Sequence, residues 1–177
     1  MASRHPASPS RQAEKLELTD SLAAAGVPEI EIGTPVMGAD EIKAIRAAVA
    51  RSLSVRLTAW CRITSQDLDA AIESGVSAIN LSLPASDIQL ATKLGLDHAG
   101  ALQVIEYMVG RAAAGGFFVA VGCEDASRAD RDHLARVVET AARAGANRVR
   151  LADTVGVLDP FSTFELSPRS RRSLLSI

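Results

Sequence analysis

The sequence predicts an α/β protein built on a parallel sheet, and three observations carry that prediction. Helical and strand periodicities alternate along the chain. Glycines close most helices just before the next strand, at Gly26, Gly75, Gly115 and Gly145. The links between elements are short, which places helices against a sheet of parallel strands. Right-handed crossovers wind such units in one direction. Two closures then remain open, a doubly wound open sheet or a barrel of eight units. No G-x-G-x-x-G follows any strand, which weakens a dinucleotide-binding open sheet. Five strands are read, and 177 residues fall short of the ~250 typical of a complete eight-unit barrel.

Gln12–Ala25 is predicted as a helix with Leu18, Leu22 and Ala25 on one face. Pro28 leads into a short strand, Glu29–Gly33. Ala39–Arg51 follows as a helix, with Asp40 and Glu41 favouring its first turn and Ile42, Ile45 and Val49 forming one stripe. Val55–Arg62 reads as a strand. Thr64 and Asp67 resemble a capping arrangement that starts a helix to Ser74, with Leu68 and Ile72 inward. Val76–Leu83 is the next strand, and Pro84–Asp97 a longer connection. A helix over Ala99–Ala114 carries Leu102, Ile105 and Val109 inward, and Phe117–Cys123 is a strand. Asp130 caps a helix to Ala144 with Leu134, Val137, Val138 and Ala141 inward. Arg148 opens the last strand, and the stretch to Pro160 ends in turn chemistry at Gly156 and Asp159-Pro160.

Hydrophobic residues make up 47% of the chain and aromatic residues only 3%, so the core is built from Ala, Val, Ile and Leu. A net charge of −2 and a pI near 5.9 point away from nucleic acid and from anionic membranes. No apolar run is long enough to span a bilayer, so a soluble, cytoplasmic protein with no membrane partner is expected. Cys61 and Cys123 form no metal or redox motif and read as reduced thiols. Met1–Arg11, rich in Ser, Pro and Arg, is read as a disordered start in preference to a short targeting segment. Residues 12–161 are read as the folded domain and 162–177 as a divergent, disordered tail.

In parallel α/β folds ligands gather at the carboxyl ends of strands. Those ends carry Glu31 and Gly33, then Cys61 and Arg62, then Asn80, Ser82 and Ser86, then Glu124 and Asp125, and finally Asp153 and Thr154. Period-two alternation puts Ala120, Gly122 and Glu124 on one face, and Arg150, Ala152 and Thr154 on one face. Each has a plainer alternative. Glu31 can be a solvent-facing charge, Arg62 one half of a structural ion pair, and Asp130 a helix cap. Glu124, following an apolar strand and a glycine, is the strongest site candidate. His5, His98 and His133 are read as lying in the tail, a loop and an exposed helix face, without function.

Five segments in order resemble one family. GVPEIEIGTPVMGADEIKAIRA, RLTAWCRIT, NLSLPASDIQLATKLG, VGCEDASRAD and RVRLADTVGVLDP look like successive strands and loops of the Claisen synthases that use acetyl-CoA. That family holds homocitrate synthase, isopropylmalate synthase and their lyase relatives. CEDASRAD, SDIQL and ADTVGVLDPF resemble the nitrogen-fixation type of homocitrate synthase.

The resemblance implies a partial TIM (β/α)8 barrel, about five β/α units matching strands two to six. It implies an acyltransferase that condenses acetyl-CoA with 2-oxoglutarate to homocitrate and CoA, in nitrogenase iron-molybdenum cofactor biosynthesis. It also implies a divalent metal, Mg or Mn, that polarises the keto group. By this resemblance Glu124 is catalytic, Thr154 hydrogen-bonds the substrate carboxylate, Ser86 and Asn80 line the mouth, and Arg62 belongs to the substrate site. Ala120 stands where some lysine-pathway relatives carry arginine, which leaves carboxylate recognition open. The family's first-strand R-D-G-E-Q motif and seventh-strand H-x-H pair are not found in the sequence. The metal ligands, with strands one, seven and eight, are therefore expected to lie outside this chain. Three other readings stay beside the enzyme. One is an inactive remnant or split-barrel subunit, with a homodimer or a complementing chain as partner. Another is an isopropylmalate synthase-type enzyme using a different 2-oxo acid. The third is an unrelated open sheet binding a phosphorylated ligand.

Overall fold

The computed structural model describes residues 9–164. The expectations for 1–8 and 165–177 lie outside the described residues. Six helices and five strands alternate, in the order α1 (Pro9–Ala24), β1 (Glu29–Gly33), α2 (Ala39–Val49), β2 (Arg56–Arg62), α3 (Ser65–Ser74), β3 (Ala78–Pro84), α4 (Asp87–Gln89), α5 (His98–Ala114), β4 (Phe118–Glu124), α6 (Arg131–Arg143) and β5 (Arg148–Leu151). The strands form one sheet whose order is the chain order, β1-β2-β3-β4-β5. Both β1 with β2 and β4 with β5 pair in parallel. A doubly wound sheet reverses direction at a switch point and so scrambles this order. Sequential order is that of consecutive units of a (β/α)8 barrel, so the fold is a partial TIM barrel of five units.

The chain divides into two compact units, Met1–Asn80 and Leu81–Ile177, and the division falls within β3. In the first unit α2 buries Ile42, Ala44, Ile45 and Ala48. Helix α3 starts at Thr64, whose hydroxyl accepts from the Asp67 N–H, and ends at Gly75 in the left-handed region (φ 78°). That conformation favours glycine because a Cβ would crowd the backbone. Lys15 and Glu41 pair at 2.6 Å beside Gly33, where a Cβ would fall 2.0 Å from Glu41 Oε1. In the second unit α5 buries Ile105, Met108 and Val109, and α6 buries Leu134, Val137, Val138 and Ala141. Strand β4 is buried from Val119 to Cys123, while β5 is only half-buried. A strand covered on both faces needs the near-continuous apolar run that Phe118–Cys123 provides.

Several expectations are corrected. Helix α1 begins at Pro9, so residues 9–11 of the segment read as disordered are helical. Leu18 is 61% exposed, and its neighbour Thr19 takes the buried position instead. Ile72 is 47% exposed because α3 buries Asp67, Leu68, Ala71 and Ser74, a stripe that leaves Ile72 at its margin. Strand β5 ends at Leu151, so Ala152, Asp153 and Thr154, read as the end of that strand, lie past it. His133 is buried, not on an exposed face, and its ring stacks on His98 with centroids 3.8 Å apart. His98 is the first residue of α5, not part of a loop, and bonds the Asp87 carboxylate. The connection over 84–97 is also more ordered than expected. It holds α4 and a π-helical turn, Leu90–Leu94.

Candidate active site

Three sequence-predicted residues, Glu124, Ser86 and Thr154, fall in the second unit. Glu124 is the last residue of β4. Its Oε1 accepts from Ser82 Oγ of β3 at 2.7 Å, and its Oε2 accepts from Lys93 Nζ at 2.8 Å. The backbone fixes these ends together, since the Ala85 N–H donates to the Glu124 carbonyl at 2.8 Å. Burial pushes the Glu124 carboxyl up, but the hydrogen bonds from Lys93 and Ser82 and the Lys93 charge outweigh it. The net result is a carboxyl held below its ordinary value, hence ionised at neutral pH.

Asp125, the next residue, points its chemistry elsewhere. It is fully buried with φ 57°, a left-handed conformation unusual for a residue other than glycine. Arg128 grips its carboxylate with Nε at 2.8 Å and Nη2 at 2.6 Å, and Ser86 Oγ donates to Oδ2 at 2.5 Å. The hydrogen bond from Arg128 is the main reason its carboxyl is held low, against the cost of burial. Thr154 Oγ1 accepts the Asp125 N–H at 2.8 Å. An oxygen used as an acceptor leaves the hydroxyl hydrogen to be donated to another group. Asp153 turns back on its own loop, taking the N–H groups of Val157 and Leu158 at 3.0 Å each. The Asp-Thr pair therefore divides its work, with the aspartate shaping the turn and the threonine tied to the end of β4.

In the first unit, Arg62 is held by Asp67, with Nε to Oδ2 at 3.1 Å and Nη2 to Oδ1 at 2.8 Å. Asp67 also accepts the Arg62 N–H and the Thr64 hydroxyl. Asn80 is buried in β3, and its side-chain oxygen has no hydrogen-bond partner. Cys61 and Cys123 are buried free thiols, both pushed up to about 12 chiefly by burial, and unreactive as thiolates at neutral pH.

Sequence reasoning missed Lys93 and Arg128 as members of these clusters. Lys93 sits in the π-helical turn, where no regular period exists to place a side chain. Arg128 could have been found, since an arginine three residues after an aspartate within a turn is a ready partner for it. Among the described residues no group of three or more His, Cys, Asp and Glu side chains could hold a metal ion.

The HMGL-like family model matches residues 3–171. The chain belongs to the HMGL-like family. Homocitrate synthase 1 of Nostoc sp. is 40% identical over 151 residues, 85% of this chain and 40% of that protein. The homocitrate synthase subunit alpha of Clostridium pasteurianum is 37% identical over 147 residues, 83% of this chain and 55% of its own. The 2-isopropylmalate synthase 2 of Caldanaerobacter subterraneus is 36% identical over 153 residues, 86% of this chain and 40% of its own. This HMGL-like chain thus spans between 40% and 55% of the length of these three relatives. Hydroxymethylglutaryl-CoA lyase from Pseudomonas aeruginosa superposes with a TM-score of 0.79 at 22% identity, covering 97% of this chain and 60% of that one. At that identity the likeness is one of fold.

Proposed function

We propose that this chain provides the substrate-facing part, residues 12–161, of a homocitrate synthase-like acyltransferase. Such an enzyme condenses acetyl-CoA with 2-oxoglutarate to give homocitrate and CoA, in the service of nitrogenase cofactor assembly. The observation that carries the reading is the ionised Glu124 held by Ser82 and Lys93 at the end of β4, in an HMGL-like chain 40% identical to a homocitrate synthase.

In this reaction the acetyl methyl group loses a proton, and its carbon forms a bond to the keto carbon of the oxo acid. The keto oxygen gains a proton, and water then cleaves the thioester to release CoA. Glu124 is the proton-handling carboxylate beside the oxo acid, and its low pKa keeps it able to accept. Thr154 donates its hydroxyl hydrogen to the substrate carboxylate while its oxygen stays anchored on the Asp125 N–H. Ser86 acts one step back, holding Asp125, which follows Glu124 and whose N–H ties Thr154. Asn80, a candidate substrate residue, lies in the first unit with its side-chain oxygen buried and without a hydrogen-bond partner. Arg62 is the least supported of the site residues, because Asp67 occupies its guanidinium. Homologues of the family imply Mg or Mn, but the described residues do not fit such a centre.

The test is release of free CoA thiol from acetyl-CoA, with 2-oxoglutarate and Mg or Mn ions present. We expect turnover that falls ~10²–10⁴-fold in Glu124→Ala, the usual worth of a positioned proton acceptor. Absence of turnover both alone and with any complementing chain overturns the reading. Turnover only after a second chain is added supports a split enzyme. That second reading is favoured by the name of the Clostridium relative, which is one subunit, and by the lack of a metal-capable cluster among the described residues. Turnover with another 2-oxo acid in place of 2-oxoglutarate would support an isopropylmalate synthase-type enzyme, in keeping with the Caldanaerobacter relative.

A further inference from the structure

The bond between Lys93 and Glu124 joins an irregular helix turn to a strand end. Lys93 lies in the π-helical turn Leu90–Leu94, a backbone form that occurs mostly as single turns and often at functional sites. Its side chain is 51% exposed and, among the described residues, donates to Glu124 Oε2. The neighbouring cation, Arg128, is committed differently, with two nitrogens on a carboxylate that is wholly buried. Breaking that pair would strand a buried charge, whereas Lys93 can leave Glu124 for a second anion at little cost. Lysine suits such an exchange, being a point charge on a flexible stem rather than a planar fork.

We propose that Lys93 is a mobile counter-ion shared between Glu124 and an anionic ligand, bonded to Glu124 in the free protein and passed to a carboxylate of the 2-oxo acid when that binds. The proposal rests on the 2-oxo acid reading and adds a substrate-binding residue to it. Transfer of the ammonium frees Glu124 Oε2 while Ser82 still holds Oε1. Burial then acts on Glu124 without its opposing charge, so the carboxylate binds a proton more readily once substrate is in place. The free protein keeps Glu124 ionised, and the ligand itself strengthens the base.

The experiment follows the Glu124 side-chain carboxyl resonance by carbon-13 NMR across pH, assigned by its loss in Glu124→Gln. It is run on wild type, Lys93→Met and Lys93→Arg, each with and without 2-oxoglutarate. In wild type, 2-oxoglutarate raises the Glu124 titration midpoint. Lys93→Met raises it in the free protein, leaves less than half of the ligand-induced rise, and weakens 2-oxoglutarate binding about tenfold or more. Lys93→Arg restores both effects in part. A Lys93→Met protein with the wild-type midpoint, or with the full ligand-induced rise, overturns the proposal and leaves the 2-oxo acid reading standing. If 2-oxoglutarate perturbs no resonance of the wild-type protein, the 2-oxo acid reading itself fails and the proposal with it.

Discussion

At the scale of single residues, His133 shows how position decides chemistry. It is buried, and neither ring nitrogen has a hydrogen-bond partner. Burial first, then the charge of His98, pushes its pKa down, with Arg136 adding to the effect and Asp87 and Asp130 opposing it. A histidine depressed in the folded state takes up its proton more readily when unfolded. Its contribution to stability is therefore present above the unfolded value of about 6.5 and is lost as pH falls below it. Urea unfolding at pH 8 and pH 5.5 is expected to show lower stability at the acidic value, and His133→Phe is expected to flatten that difference. Asp125 makes the complementary case. Arg128→Ala leaves the buried Asp125 carboxylate without its cation and is expected to lower the urea midpoint, because the charge that remains cannot reach solvent.

At the scale of elements, helix ends and helix interiors separate cleanly. Gly75 ends α3 in the left-handed region, and Gly75→Ala is expected to cost about 1 kcal/mol. Gly110 lies inside α5, where an added Cβ meets nothing within 4 Å. Gly110→Ala is expected to stabilise the protein by roughly 0.5–1 kcal/mol, read as a higher denaturant midpoint with an unchanged slope. Loss of the Thr64 cap is expected to cost about 1 kcal/mol or more, because the same hydroxyl also donates to Asp67 Oδ1.

At the scale of the whole molecule, the carboxyl groups of Asp67, Glu124, Asp125, Asp153 and Asp159 are all held below their ordinary values. The causes differ. Asp67 and Glu124 are lowered by their cationic and hydroxyl partners against burial, Asp125 by Arg128, Asp153 first by Ser127 and Asp159 first by the Ser162 N–H. A depressed carboxylate stabilises the fold above the unfolded value and ceases to do so as pH falls through the folded one. Stability is thus expected to fall in two stages on acidification, near pH 6.5 for His133 and again below about pH 4 for the carboxylates. A series of urea midpoints from pH 8 to pH 3 checks both stages. A single fall below pH 4 would remove His133 from the account.

The sequence by itself determined the succession of elements, because alternation of period 2 and period 3.6, glycine stops and the Thr64 and Asp130 caps are local physics. It also placed Glu124 at the end of its strand, whereas Thr154, read as a strand end, lies in the turn three residues past Leu151, the last residue of β5. His133 was misread as exposed, although its spacing of four from Val137 and eight from Ala141 puts it on the apolar stripe of α6. Tertiary structure alone decided the strand order, and with it the barrel pattern over the open sheet, because local signals do not say which strands pair. It alone brought Lys93 to Glu124 across 31 positions of sequence. A π-helical turn has no sequence period, and an ion pair between distant positions leaves no trace in either one's neighbours.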